Sequence, residues 1–188
     1  MTPASSVVAD ERLRLFLGLR LPEPVLDVVE AWQAADLGGA GLRVVPRAHL
    51  HVTLAFLGRR PARELEAILA ALRSAAAKAF GRDLRLAAAR YRETRSVAMI
   101  VLDDLGGGAT ALAVDLHARL EALGVYRREE RDWLPHLTVA RFRERPRLGL
   151  EPPAGMGTFV PSDAAAYLSR LHPGGARYEV LESVALGG

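Results

Sequence analysis

Polar and apolar side chains alternate through Leu13-Arg14-Leu15-Phe16-Leu17-Gly18-Leu19-Arg20, the period of a strand with one buried face. Pro22 and Pro24 close that strand and open a helix with Val25, Leu26, Val29 and Trp32 along one side. Gly38-Gly39-Ala40-Gly41 reads as a flexible connection, Leu42 to Val45 as a short strand stopped by Pro46, and Leu50 to Leu57 as a longer strand. After a turn over Gly58 to Pro61, the spacing of Leu65, Ile68, Leu69, Leu72 and Ala76 predicts a helix. Leu84 to Arg90 and Ser96 to Leu102 predict strands, the second with a fully buried core. Gly106-Gly107-Gly108 predicts a loop, and Ala109 to Leu123 a helix with Leu112, Leu116, Leu120 and Leu123 on one face. Arg127 to Arg131 is a charged, exposed connection into a strand from Leu134 to Phe142. Arg143 to Gly157, rich in Pro, Arg and Gly, predicts irregular structure, and Ala164 to Leu171 and Tyr178 to Leu186 predict closing strands.

The order strand–helix–strand–helix, then strand–strand–helix–strand, has the form of two related halves. No long linker divides them. Residues 1–188 are therefore expected to form a single compact domain of two lobes with a cleft between them.

Two of the predicted strands repeat one another. One carries His51-Val52-Thr53-Leu54, the other His136-Leu137-Thr138-Val139, each in an apolar run. Side chains at i and i+2 of a strand share a face, so each stretch sets an imidazole beside a hydroxyl. If the strands face each other, two histidines and two threonines converge. One His-x-Thr alone is ordinary strand sequence; the pair in matched flanks is not.

Composition narrows the context. Half the residues are apolar and charge is moderate, as in a soluble globular protein. The longest apolar stretches, such as Val97 to Leu102, are far too short for a membrane helix, and Met1 to Asp10 lacks the pattern of a signal peptide. Without cysteine, disulfides and thiolate metal sites are excluded, and a cytoplasmic location is expected. Net charge is only +3, yet all 25 basic residues but Lys78 are arginine. A GC-rich coding bias accounts for that as readily as a phosphate partner does.

The repeated pair suits displacement at phosphorus. Opening a five-membered cyclic phosphodiester needs a base for the attacking water and an acid for the departing ribose oxygen. Histidine, with an ordinary pKa near 6.5, fills either role. Threonine hydroxyls can donate to the non-bridging oxygens. His49 either extends this site or is an exposed residue at the strand start, the second being preferred. His49-Leu50-His51 has the spacing of a metal pair, but no neighbouring Asp, Glu or Cys completes a ligand set, so no metal and no cofactor is expected. His117 is offset from the leucine stripe and expected in solvent, while His172, before Pro173, reads as structural. By strand parity Arg141 turns away from His136 and reaches a phosphate only across a bulge. Phe16 serves either base stacking or the core.

These residues resemble the two-histidine phosphoesterase superfamily, specifically its RNA 2′,3′-cyclic phosphodiesterase (RNA 2′-5′ ligase) branch. The likeness runs from Arg14-Leu15-Phe16 and Leu21-Pro22, through Leu50 to Gly58 and Pro135 to Arg141, to the ending Ser169 to Leu181. It implies an α+β, bilobal fold of two pseudo-symmetric antiparallel sheets with outer helices around a central cleft. It further implies His51 as proton donor and His136 as proton acceptor, with Thr53, Thr138 and Arg141 binding substrate. His49 stands where that family often has Asn, and Val44 where Trp is common. The implied substrate is RNA with a 2′,3′-cyclic phosphate terminus, tRNA-derived ends among the candidates. It would be opened to a 2′-phosphomonoester without metal, with reversible 2′-5′ ligation as a related activity. Apart from the resemblance, a monomer is expected. Two other readings stand beside it: a non-catalytic RNA-end binding protein, and a phosphodiesterase for another small cyclic nucleotide ester.

Overall fold

In the computed structural model, which describes residues 11–39, 41–79 and 83–187, the alternating first segment forms β1 (Arg12–Arg20) and the helix behind the prolines forms α1 (Glu23–Asp36). There follow β2 (Arg43–Val44), β3 (His51–Pro61), α2 (Leu65–Ala76), β4 (Leu86–Glu93), β5 (Val97–Asp104) and α3 (Gly108–Ala122). The chain ends with β6 (His136–Arg141), β7 (Thr158–Phe159), β8 (Asp163–His172) and β9 (Gly175–Val184). Ala40 of the expected flexible connection and the stretch Met1 to Asp10 lie outside the described residues.

The strands pair antiparallel in one sheet, in the order β7-β4-β5-β6-β3-β1-β8-β9, with β2 added to β6. The order reads alike outward from the middle: a motif strand (β6 or β3), then the strand that precedes a helix in the chain (β5 or β1). Where the resemblance implies two sheets, the sheet is continuous, but its waist is narrow. β3 and β6 share one register pair, Val52 with Leu137. Beyond it β6 takes β2 as its partner instead, through Arg43–Arg141 and Val44–Ala140.

The core lies between this sheet and the helices. Val52, Leu54, Leu137 and Val139 from the motif strands pack in one cluster with Val29 of α1, Leu72 of α2 and Leu116 of α3, none more than 2% exposed. Burying such a side chain contributes on the order of 1.5–3 kcal/mol, which explains why the apolar parity of both motifs fixes the face they present. Some details depart from expectation. β3 runs on through Gly58 to Pro61, where the sequence predicts a turn, because these residues continue the pairing with β1. Leu123 lies beyond the end of α3 and is exposed, whereas His117, expected in solvent, is 5% exposed. The buried stripe of α3 includes Ala113 and His117 beside the leucines, and His117 Nε2–H donates to the carbonyl of Leu54 at 2.7 Å. No described helix is long and apolar enough to cross a membrane.

Candidate active site

At the waist, Val52 and Leu137 point into the core. Their neighbours His51, Thr53, His136 and Thr138 therefore stand on the opposite face, and all four are partly exposed. In an antiparallel pair the residue before one partner lies across from the residue after the other. His51 thus faces Thr138 and Thr53 faces His136, while the two imidazoles occupy a diagonal, a backbone separation of about 7–8 Å. One phosphoryl group fits between them. Trp133, just before β6, ties the same place by donating Nε1–H to the carbonyl of Thr53 at 3.0 Å.

Each motif strand carries one extra residue directly after its threonine. Against β5, Met99 pairs with Thr138 and Ala98 with Ala140, which leaves Val139 over. Against β1, Gly18 pairs with Thr53 and Leu17 with Ala55, which leaves Leu54 over. A bulge reverses the parity beyond it. Arg141 pairs with Val97, which shares a face of β5 with Met99 and Val101, the partners of Thr138 and His136. The reading of Arg141 as a surface residue turned away is corrected by this bulge: Arg141 joins the face of His136 and Thr138. The equivalent shift on β3 turns out Phe56, which is 51% exposed. Phe56 stands five residues after His51, as Arg141 stands after His136.

Buried polar side chains hold both bulges. Gln33 of α1 donates Nε2–H to the carbonyls of Val139 and Val45, at 2.9 and 3.0 Å, and His117 of α3 serves Leu54 in the same way.

The two catalytic candidates are oriented alike. His51 Nδ1–H donates to the carbonyl of His49 at 2.7 Å, and His136 Nδ1–H to that of Leu134 at 2.9 Å. In each case the bond runs two residues back and commits Nδ1 as donor, which leaves Nε2 for chemistry. His51 Nε2 lies 3.1 Å from Thr53 Oγ1. Burial pushes the His51 pKa down to about 4; the bond to the His49 carbonyl opposes this, and the charges of His136, His49 and Arg141 reinforce it. At neutral pH the free protein therefore holds His51 neutral.

An aromatic wall backs the His51 ring. Phe16 lies 4.8 Å away between centroids and is itself stacked on Tyr167 at 4.6 Å. At 3% exposure Phe16 packs with Ala165 and Tyr167 in a small cluster apart from the main core, and it also lines the cleft. His49 sits in a short 3-10 turn, partly buried on Tyr178 at 4.4 Å between centroids, and it lines the cleft. The preference for an exposed strand-start residue is thereby overturned, because the turn folds His49 back onto β9. Burial lowers its pKa. His172, at the exposed end of β8, also lines the cleft.

The cleft has a volume of about 820 Å³ and is walled in part by His51, Thr53, Thr138 and Arg141. His136 is not one of its lining residues; it stands at the waist beside Thr53, near enough for its charge to act on His51. Four arginines face the cleft, Arg14, Arg43, Arg141 and Arg177, and no carboxylate among the described residues does. The guanidinium of Arg14 lies 4.9 Å from the centre of the Phe56 ring and donates to Ser169 Oγ at 2.8 Å. Among the described residues no three His, Asp or Glu side chains are grouped to hold a metal. Phe56, Arg43 and Tyr178 escape a reading of the sequence alone; only the common offset of Phe56 and Arg141 from their motif histidines signals one of them.

A family model described as the 2′-5′ RNA ligase superfamily matches residues 21–171. The chain is 32% identical over 184 residues to an RNA 2′,3′-cyclic phosphodiesterase of Thermus thermophilus, covering 94% of this chain and 91% of that one. A Methanocaldococcus jannaschii protein of the same name is 23% identical over 185 residues, 90% of this chain and 99% of its own. Among solved structures, E. coli LigT complexed with 3′-AMP matches with a TM-score of 0.76 at 23% identity, covering 95% of this chain and 100% of that one. A crystal structure of a Thermus thermophilus protein matches at 0.72 with 28% identity, covering 94% of this chain and 99% of that one. The α+β class expected from the sequence, with its large antiparallel sheet and few helices, is the class of both.

Proposed function

Since the chain belongs to the 2′-5′ RNA ligase superfamily, we propose that it is an RNA 2′,3′-cyclic phosphodiesterase, which opens the cyclic phosphate of an RNA end to a 2′-phosphomonoester. The observation that carries this reading is the waist of the sheet, where one core pair, Val52 and Leu137, leaves two imidazoles and two hydroxyls on the same open face.

In this reading His136 Nε2 takes a proton from the attacking water while the P–O3′ bond breaks. His51 Nε2 gives a proton to the departing 3′ oxygen. Each role is worth roughly a hundred- to ten-thousand-fold in rate. The donor role requires a charged His51, yet burial holds its pKa near 4 in the free protein. The phosphate anion works against that burial by its own negative charge beside the ring, which favours the charged imidazolium, so His51 takes up its proton together with the substrate. Thr53 Oγ1, within hydrogen-bond reach of His51 Nε2, turns with Thr138 toward the non-bridging oxygens, where Arg141 adds its charge. With a 5′-hydroxyl in place of water, the same proton transfers would form a 2′-5′ linkage, which accounts for ligation as a related activity. Both motifs lie on one chain and meet at one waist of its sheet, which supports a monomer as the working unit.

The test is hydrolysis of an RNA oligonucleotide ending in a 2′,3′-cyclic phosphate, in excess EDTA, with the product isomer identified. A 2′-phosphate is expected. A 3′-phosphate would reverse the leaving oxygen, and salt-dependent binding without turnover would leave an RNA-end binder instead.

A further inference from the structure

The cleft offers more positive charge than one phosphoryl group needs. Arg43, Arg141 and Arg177 make no ion pair with any described carboxylate, while Arg47 reaches Glu23, Asp27 and Glu30, and Arg73 reaches Glu66 and Glu182. Arg43 and Arg141 are moreover direct partners across β2 and β6. Like charges set opposite one another destabilise a strand pair, and here no acid relieves them. An anion would.

The two arginines do not address the same place. Arg141 acts on His51 electrostatically, and Arg43 is not among the charges that do. Thr138 to Arg141 is three residues along β6, on the order of 10 Å, so the backbone of Arg43, opposite Arg141, lies well along the strand from the two histidines, while the charge of Arg141 still acts on His51. The Arg43 guanidinium lies instead against the turn between β8 and β9: a Cβ on Gly175 would sit 2.9 Å from its Nη1. Gly175 has φ +119°, a conformation that favours glycine, so this turn is shaped to receive the guanidinium without a side chain between. Arg177, two residues on, also lines the cleft.

We propose that Arg43 and Arg177, beside the β8–β9 turn, form a second anion subsite that takes the phosphodiester on the 5′ side of the cyclic end. The substrate class is then an oligonucleotide end, because a mononucleotide leaves this subsite empty. Guanidinium groups suit a phosphodiester through their paired N–H donors. The assignment rests on the function proposed above.

The experiment compares KM for a nucleoside 2′,3′-cyclic phosphate with KM for a short RNA bearing the same terminal base and cyclic end. In the unmodified protein the RNA is expected to have the lower KM. Arg43→Gln should cut that advantage about tenfold, the loss of a charged contact to phosphate, and flatten the dependence of the RNA's KM on salt. Arg177→Gln, on the exposed side of the turn, should act in the same direction and serves if Arg43→Gln does not fold. Equal KM values for the two substrates in the unmodified protein, or an unchanged ratio in either folded variant, would overturn the subsite while leaving the activity standing. Failure to open either substrate would overturn the activity itself, and the subsite with it.

Discussion

Gln33 donates its side-chain N–H to the carbonyl of Val139 at 2.9 Å, and Val139 is the extra residue that turns Arg141 into the cleft. A helix side chain, itself only 3% exposed, thus reaches the substrate face through the backbone of a strand. Gln33→Met keeps the volume and removes the donor, which leaves the Val45 and Val139 carbonyls short of a buried partner. The expected loss is about 1–3 kcal/mol of stability, read by urea denaturation. A severalfold rise in KM should accompany it as Arg141 loses its fixed direction. A variant as stable as the parent, with an unchanged KM, would mean that the bulge stands without Gln33.

His51 and His136 are only partly buried, and their substitution opens no large cavity in the core. His51→Ala and His136→Ala should each lower kcat by roughly a hundred- to ten-thousand-fold, with the thermal midpoint little changed. Because the two act on one phosphorus, the double variant should be little worse than either alone. A normal rate in either single variant would remove that residue from the mechanism.

How far the site could be read without coordinates follows from what is local. The His-x-Thr parity and its apolar flanks concern neighbours two residues apart, so the face that carries His51, Thr53, His136 and Thr138 is visible in the sequence. The bulges are not. They depend on register with β1 and β5, and no glycine marks Leu54 or Val139, so simple parity turns Arg141 the wrong way. His117 reads as a solvent residue for a similar reason, since the carbonyl that satisfies it lies 63 residues away on Leu54. His49 is placed by a turn that folds it onto Tyr178, a contact between distant segments.

The low pKa of His51 couples folding to pH with a definite sign. Unfolding returns the ring to an ordinary pKa of about 6.5, so between 6.5 and about 4 the unfolded chain binds a proton that the folded protein does not. This contribution is complete above pH 6.5 and is lost as pH falls toward 4, by up to about 3 kcal/mol. A titration of the His51 ring by NMR should show its midpoint near 4 in the free protein, and inorganic phosphate should move it up. An unperturbed midpoint near 6.5, unmoved by phosphate, would contradict both the burial of the ring and its protonation with substrate.

Gly18 bears on the same ring from below. It pairs with Thr53 on β3, and a Cβ there would come 3.0 Å from the Val52 carbonyl and 3.2 Å from His51 Cδ2. The first contact is backbone and has little room to give, so the strain falls on the imidazole, which Phe16 already confines. Gly18→Ala should therefore shift the His51 ring by a few tenths of an ångström while the sheet persists. Proton transfer tolerates misplacement poorly, and displacements approaching 1 Å cost about a hundredfold. The expected result is a fall in kcat of about tenfold with circular dichroism unchanged, read beside the His51 ring signals by NMR. An unshifted ring signal together with full kcat would show that the imidazole has slack, and that the close approach of β1 does not set its position.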